Sequence, residues 1–200
     1  MLGIIGTIIL SPILLFISIA IVLDNGFPVF FIQKRMGQGG KVFSCVKFRT
    51  MVRNAANIGT GIFTAKDDPR ITHVGRYLRS FLDELPQIFN VIMGNMSIVG
   101  PRPSMLYQAK RYDELQARRL LVKPGITGWA QVNGRNTLSW PKKINLDVWY
   151  IDHLSFLLDM KIILMTPFTL AKGNVYADVE PDDPISRLDG VANPDALEAK

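Results

Sequence analysis

The sequence has one cysteine and two histidines, and it lacks the short motifs by which many enzyme classes are recognised. Cys45 has no partner for an internal disulfide, which is typical of a protein kept in a reducing compartment. His73 and His153 lie far apart and do not have the spacing of metal ligands. No Walker-type loop, GxGxxG sequence or Ser/His/Asp pattern is present, so nothing favours a kinase, a dehydrogenase or a hydrolase.

Charge is absent from residues 1–23, and the first charged side chain is that of Asp24. At about 1.5 Å per helical residue, such a run just reaches across a hydrocarbon core of roughly 30 Å. Pro12 lies near its middle, and a proline there removes a backbone donor and kinks the helix. The residues alone leave two structures open, a kinked transmembrane helix and a re-entrant hairpin that bends at Ser11–Pro12. A cleaved secretory signal is disfavoured, because nothing basic precedes the run.

Acidic residues are absent from the stretch between Gln33 and Arg53, which carries six basic side chains. A basic block that follows an apolar anchor is typical of the cytoplasmic side of a membrane, where it faces anionic lipid headgroups. Nucleic acid is a poorer partner, because stacking aromatic residues are not interleaved with these cations. The net charge of +6 conceals a reversal from Asp178 to Lys200, where seven acids predict a loosely ordered tail.

The pattern along the chain predicts one membrane-associated α/β domain. Two strands, Phe27–Met36 and Lys41–Met51, are joined by a glycine-rich turn that suits a β-hairpin. We predict a loop over 54–66 and helices over 72–79, with Thr72 as its cap, 84–93 and 104–121. We also predict irregular backbone over 124–136 and an interfacial amphipathic helix over 153–172. The expected boundaries are 1–23 for the membrane segment, 24–173 for a cytoplasmic catalytic domain and 174–200 for the tail.

Two adjacent carboxylates in Leu82–Gln87 are the first candidate for chemistry. Asp83 has the residue type of a helix N-cap, and Pro86 is tolerated in a first helical turn. In one interpretation Asp83 and Glu84 only cap the helix and complement its dipole. In the other they hold a divalent cation beside a diphosphate, and the aspartate attacks phosphorus as a nucleophile.

Several cations supply what a phosphate site needs. Lys47 and Arg49 share a strand face by period two, Arg79 precedes the carboxylates, and Arg102 lies between two prolines that restrict it. Each one alone is typical of a solvated surface charge. Together they favour an anion site, because the arginine fork binds phosphate in a planar, bidentate way.

The order of these segments resembles the bacterial sugar transferase family, the monotopic polyprenyl-phosphate phosphoglycosyl transferases. The resemblance covers about residues 10–170 and rests on several short pieces taken together. The matching pieces are Leu10–Pro12, Pro28–Phe31, Gln33–Arg35, Lys47–Met51, Leu82–Gln87, Gly100–Pro103 and Lys123–Arg135.

The resemblance implies a two-step transfer from a UDP-sugar to undecaprenyl phosphate. Asp83 matches the nucleophile, which expels UMP and holds the phosphosugar covalently, and Glu84 matches its partner carboxylate, both working with Mg²⁺. Lys47 and Arg102 match basic positions that hold phosphates. The Ser11–Pro12 match favours the re-entrant hairpin, with the remaining chain on the cytoplasmic face of the inner membrane.

Two departures from the family pattern and two rival functions remain open. Family members usually begin with a charged stretch before the apolar segment, whereas Met1 opens directly into it. The family arginine usually precedes the nucleophile by five residues, but Arg79 precedes Asp83 by four, which turns a helical side chain by about 100°. The rivals are direct transfer with Asp83 and Glu84 binding only metal, and a non-catalytic membrane scaffold for glycan enzymes. The sugar and the oligomeric state are left open, and the 54–66 loop and the Trp129 region are candidate walls of the sugar pocket.

Overall fold

The computed structural model describes residues 2–55, 58, 68–79 and 81–171, with the backbone alone at 2–5, 8, 9 and 136. This part of the chain is a mixed α/β structure, as predicted. Its helices are α1 Leu2–Asn25, α2 His73–Leu78, α3 Gln87–Ile92, α4 Leu106–Ala109, α5 Glu114–Ala117, α6 Trp129–Val132, α7 Trp140–Asp152 and α8 Phe156–Ala171. Its strands are β1 Phe30–Met36, β2 Val42–Phe48, β3 Ser97–Val99 and β4 Gly125–Thr127.

These residues divide into two compact units. The first unit contains residues 2–33 and 44–93, and the second contains 34–43 and 94–171. The catalytic boundaries expected at 24 and 173 stay a prediction, and the tail over 174–200 lies outside the described residues.

Helix α1 has one buried face and one exposed face. Its buried side chains, Leu14, Ile17 and Ile21, pack with Phe48 of β2 and Leu78 of α2 in the core of the first unit. The spacing of three and four residues is that of a single helical face. The other side carries large apolar side chains in solvent-accessible positions: Ile13, Leu15, Phe16, Ile19 and Leu23.

The helix continues through Pro12 to Asn25 without an interruption. The structure therefore does not confirm a break at Ser11–Pro12, and the re-entrant path stays a proposal. Among the described residues, no helix combines the length and the apolarity that crossing a bilayer would require.

The β-hairpin is confirmed, with strands shorter than predicted. β1 and β2 form a two-stranded sheet, and Gly37 donates its N–H to the carbonyl of Lys41 at 2.8 Å across the turn. Gly39 and Gly40 have φ angles of +64° and +74°, a region that side chains with a Cβ rarely adopt.

The cap predicted for α2 is confirmed. The hydroxyl of Thr72 accepts the N–H of Gly75 at 3.0 Å, and the carboxylate of Asp24 accepts the N–H of Val74 at 2.9 Å. Two of the N–H groups that a helix start leaves without intrahelical partners are thereby satisfied. The second bond ties the end of α1 to the start of α2.

The backbone of the glycine-containing segment over 124–136 was predicted to be irregular, and this prediction was wrong. β4 pairs in parallel with β3, with Ser97 opposite Gly125 and Val99 opposite Thr127. A Cβ on Gly125 would lie 2.1 Å from the backbone nitrogen of Gly100, so only glycine allows the approach. The glycines that indicated a loop instead permit close strand packing.

The prediction of one long charged helix over 104–121 was also wrong. The segment forms α4, then α5, then a 3₁₀ turn over Arg118–Leu121. Asp113 restarts the helix because its carboxylate accepts the N–H of Gln116 at 2.8 Å while Gln116 Oε1 accepts the N–H of Asp113 at 3.2 Å. This reciprocal pair is a capping box.

Helices α7 and α8 complete the second unit. Helix α7 was not predicted from the sequence, whereas α8 occupies the predicted apolar stretch. Ile162 of α8 is fully buried, and the core around it contains Val99, Val132 and Tyr150. The Tyr150 hydroxyl donates to Asp159 at 2.7 Å, which joins the two helices, and burial raises the pKa of this phenol.

Candidate active site

The acidic pair lies on a 3₁₀ turn over Leu82–Glu84 that precedes α3. The prediction that Asp83 is the N-cap of a helix starting near Glu84 was wrong. Pro86, which has no N–H, stands at the N-cap position of α3, so the helix begins only at Gln87. Successive side chains of a 3₁₀ turn are about a third of a turn apart, so adjacent carboxylates diverge. Glu84 is accordingly buried, while Asp83 is only half-buried.

Glu84 is paired with Lys47. The Nζ atom of Lys47 donates to Glu84 Oε1 at 2.7 Å, and both side chains are largely buried. The sequence proposed both residues for the site, and the structure brings them together although they are far apart in the chain. The ammonium group carries three N–H donors, so this pairing does not exhaust it.

Arg49 was predicted to share a strand face with Lys47, but β2 ends one residue earlier, at Phe48. The Nη2 atom of Arg49 donates to the carbonyls of Asn25 and Gly26 at 2.9 and 2.5 Å, at the end of α1. A cation at a helix C-terminus satisfies carbonyls and complements the dipole. Burial, aided by the neighbouring charge of Arg53, lowers the pKa of Arg49. A role in phosphate binding stays a prediction.

Arg79 forms the C-cap of α2 and is half-buried. Hydrogen bonding from Arg70 lowers the pKa of Asp68 to about 2, and the charge of Arg79 makes a smaller contribution in the same direction. The buried Asp68–Arg70 pair was not predicted from the sequence. Arg70 Nη1 also donates to the carbonyls of Ala55 and Ile58, each at 2.8 Å. It therefore ties down the first part of the predicted 54–66 loop, most of which lies outside the described residues.

Arg102 belongs to the second unit, where its side chain is exposed. Its carbonyl accepts from Nη2 of the buried Arg119 at 3.2 Å. Arg119 Nη1 also donates to the hydroxyl of Tyr112 at 2.6 Å, and that hydroxyl donates to Ser104 at 2.6 Å. Arg119 therefore holds the Gly100–Pro103 segment through the Arg102 carbonyl, and it holds Ser104 through the Tyr112 hydroxyl.

Arg119 is itself paired with Asp147 on α7, at 2.7 Å and almost fully buried. Burial raises the pKa of Asp147 to about 6, against the opposing pull of the Arg119 charge. This pair was not predicted from the sequence, because neither residue lies in a segment that resembles a site. The only signal available for this pair was that Arg119 lies shortly before the Lys123–Arg135 motif.

Trp129, proposed as a wall of the sugar pocket, lies within an aromatic stack of the second unit. Its ring is 5.1 Å from that of Trp149, which in turn stacks on His153 at 4.2 Å. The Lys161 ammonium lies 5.4 Å from the Trp129 ring centre, within the range of a cation–π interaction.

A magnesium ion fits this donor set only if the substrate supplies ligands too. Among the described residues, no group of three or more His, Cys, Asp or Glu side chains is placed to hold a metal. Asp83 offers a half-buried carboxylate, whereas Glu84 is buried and its Oε1 accepts from Lys47. Mg²⁺ commonly binds one or two carboxylates together with substrate phosphates and water. The residues present are compatible with that mode of binding.

The sequence profile of the bacterial sugar transferase family matches residues 1–173. The chain belongs to this family. The resemblance drawn from the short motifs is thereby confirmed.

Three relatives illustrate the range of names within the bacterial sugar transferase family. The uncharacterized sugar transferase EpsL of Bacillus subtilis is 50% identical over 78% of this chain and 76% of its own. The UDP-glucose:undecaprenyl-phosphate glucose-1-phosphate transferase of Xanthomonas campestris is 47% identical over 78% of this chain and 34% of its own. The undecaprenyl-phosphate galactose phosphotransferase of Salmonella typhimurium is 38% identical over 80% of this chain and 36% of its own. The chain thus spans about a third of the relatives whose names state a reaction.

Proposed function

We propose that this protein transfers a sugar-1-phosphate from a UDP-sugar to undecaprenyl phosphate, with release of UMP, and so starts the assembly of a membrane glycan. One observation carries the proposal: the acidic turn adjoins the apolar helix α1. Leu85, which directly follows the turn, and Phe89 of α3 pack against the core cluster that contains the buried face of α1. A site for phosphate chemistry beside an exposed apolar helix suits a reaction between a soluble donor and a lipid acceptor.

In the first step, an Asp83 carboxylate oxygen attacks the phosphorus that bears the sugar. The bond between this phosphorus and the bridging oxygen breaks, and UMP leaves with the electron pair. The product is an acyl phosphate, in which the Asp83 carboxyl group carries the phosphosugar. The half-buried position of Asp83 suits a nucleophile that must meet a substrate, whereas Glu84 faces inward to Lys47.

In the second step, a phosphate oxygen of undecaprenyl phosphate attacks the same phosphorus. The bond to Asp83 breaks, which restores the carboxylate and gives an undecaprenyl diphosphate-linked sugar. Lys47 holds Glu84 in place and directs its remaining N–H donors to phosphate oxygens, while a phosphate-binding role for Arg102 stays a prediction. A magnesium ion bound by Asp83 and Glu84 would offset the negative charge of the diphosphate.

The proposed location is the cytoplasmic face of the inner membrane. Helix α1 presents Leu15, Phe16 and Leu23, each between 63% and 81% exposed, to its surroundings. A groove of about 310 Å³ beside them is lined by Ser18, Ile19, Val22, Leu23, Phe27 and Val29. In the second unit, α8 exposes Phe156, Leu157, Leu164 and Phe168 at between 69% and 78%. Membrane lipid is the partner that suits such apolar faces.

The relatives' names support the proposal. They include transferases for glucose-1-phosphate and a phosphotransferase for galactose, all acting on undecaprenyl phosphate. Because these names differ in the sugar, they support the donor class and leave the sugar to experiment.

The test is UMP release by the detergent-solubilised protein in the presence of Mg²⁺, undecaprenyl phosphate and a panel of UDP-sugars. We expect lipid-dependent UMP from one donor and near-complete loss of activity in Asp83→Asn. A non-catalytic scaffold predicts instead that no donor releases UMP and that Asp83→Asn leaves glycan output in cells unchanged. That result would reject the proposal.

A further inference from the structure

The side chain of Asn90 on α3 makes hydrogen bonds to the backbone of β2 of the kind that a neighbouring strand would make. This side chain is fully buried at 0% exposure. Asn90 Oδ1 accepts the N–H of Val46 at 3.0 Å, and Nδ2 donates to the carbonyl of Ser44 at 2.7 Å. The carbonyl of one strand residue and the N–H of the second residue after it point to the same edge of the strand. The amide thus satisfies one edge of β2 as a peptide group would.

The same two pieces of chain are joined a second time at the acidic turn. Lys47, which directly follows Val46, donates to Glu84 at 2.7 Å, and Glu84 precedes Asn90 by six residues. The lysine side chain has many rotamers, so an ion pair alone does not determine how far along α3 the strand lies. Two hydrogen bonds from a short, buried amide do determine it.

The surroundings of Asn90 leave the strand little freedom to slide. Cys45, between the two bonded residues, is 0% exposed, and Phe48 is 2% exposed. A slip of one residue would turn these side chains to the opposite face and would leave the Asn90 amide unsatisfied in the interior. It would also carry Lys47 away from Glu84.

We infer that Asn90 is a positioning residue for the transfer reaction: its amide keeps β2 in the register that places the Lys47 ammonium on Glu84. The catalytic consequence rests on the proposed function, whereas the positioning does not. Asn90 acts through Lys47 and has no contact with substrate in this account. This distinguishes it from a residue that only stabilises the fold, whose loss would matter equally with or without Lys47.

A double-mutant cycle on the full chain in detergent tests the inference. Asn90→Asp keeps the size and the acceptor but removes the donor to Ser44, and Lys47→Met removes the ammonium. We expect Asn90→Asp to lower kcat/KM between about tenfold and a hundredfold, as displaced catalytic groups do. In the Lys47→Met background the same change should cost less than about twofold, because effects that act through one group are not additive. Asn145→Asp, on an exposed position of α7, is the matched control and should leave kcat/KM unchanged.

Equal losses in both backgrounds would overturn the inference. The same four proteins are also compared by thermal unfolding, which needs no substrate. The fall in Tm caused by Asn90→Asp should be smaller in Lys47→Met than in the wild type. Equal falls in the two backgrounds would contradict the inference. If Asn90→Asp does not fold, Asn90→Gln, which keeps both amide groups on a longer stem, replaces it. Failure of the wild type to release UMP would reject the proposed function, while the unfolding cycle would still decide the role of Asn90.

Discussion

The Nζ atom of Lys47 lies 2.7 Å from Oε1 of Glu84, and only 16% and 10% of the two side chains are exposed. Removing one partner of such a pair leaves the other as an uncompensated charge in a poorly solvated place. Glu84 therefore depends on Lys47, and the geometry of the acidic turn depends on both.

Lys47→Met should consequently affect both stability and activity. We expect the free energy of unfolding to fall by about 1–3 kcal/mol, the usual cost of a buried polar group that loses its partner. We also expect kcat/KM to fall by about a hundredfold or more, since a preorganised phosphate donor is lost. Thermal unfolding and UMP release measure the two effects.

Lys41→Met is the matched control for that prediction, because Lys41 is exposed on the same hairpin. It should change neither quantity. The double variant with Glu84→Gln should recover part of the lost stability, since no charge is then left unpaired. A double variant as unstable as the sum of the single ones would contradict the pairing.

The sequence motifs proposed Lys47 and Glu84 for one site, and the structure pairs these two side chains, while their catalytic roles stay predictions. Lys47, Asp83 and Glu84 lie in segments whose residue types and order identify the family, which the profile match confirms. Their partners were harder to foresee. Asn90 is an ordinary residue in a helix, and only the fold shows that its amide lies against β2.

Arg49→Ala tests whether that arginine holds the end of α1. Because its guanidinium donates to the Asn25 and Gly26 carbonyls, we expect a loss of about 1–3 kcal/mol in stability. Arg76→Ala, at an exposed position of α2, should change stability by less than about 0.5 kcal/mol. Unchanged unfolding together with a higher KM for the UDP-sugar would show instead that Arg49 serves the substrate phosphate.

Asp147 should give the unfolding free energy an unusual dependence on pH. Burial raises its pKa to about 6 in the folded protein, above the ordinary value of 3.8 for an aspartate. The folded state therefore binds its proton more tightly, and this carboxyl stabilises the fold most below about pH 4. As pH rises from about 4 to 6, its contribution should fall by about 3 kcal/mol.

Asp147→Asn should remove that pH dependence, which unfolding measured at intervals between pH 4 and pH 7 would reveal. Asp68 does not confuse the measurement, because its pKa of about 2 places its own loss of stability at lower pH. Parallel profiles for the wild type and Asp147→Asn would contradict the assignment.

The errors made from the sequence have identifiable physical causes. Glycine at Gly125 indicated a loop, but β3 and β4 also need glycine there, because a Cβ would lie only 2.1 Å from the backbone nitrogen of Gly100. The charged run over 104–121 has helical composition, yet the capping box at Asp113 interrupts it. The Asp147–Arg119 pair depends on contacts between distant segments, which local patterns do not contain.

The covalent step through Asp83 is tested most directly by incubating the protein with a UDP-sugar and Mg²⁺ in the absence of undecaprenyl phosphate. Intact-protein mass spectrometry should show one added sugar phosphate, peptide mapping should place it on Asp83, and UMP should appear in a matching amount. Asp83→Asn should gain no mass, and Glu114→Gln, at an exposed position, should behave as the wild type does. UMP release that requires the lipid, with no adduct on the protein, would contradict the covalent mechanism and favour direct transfer.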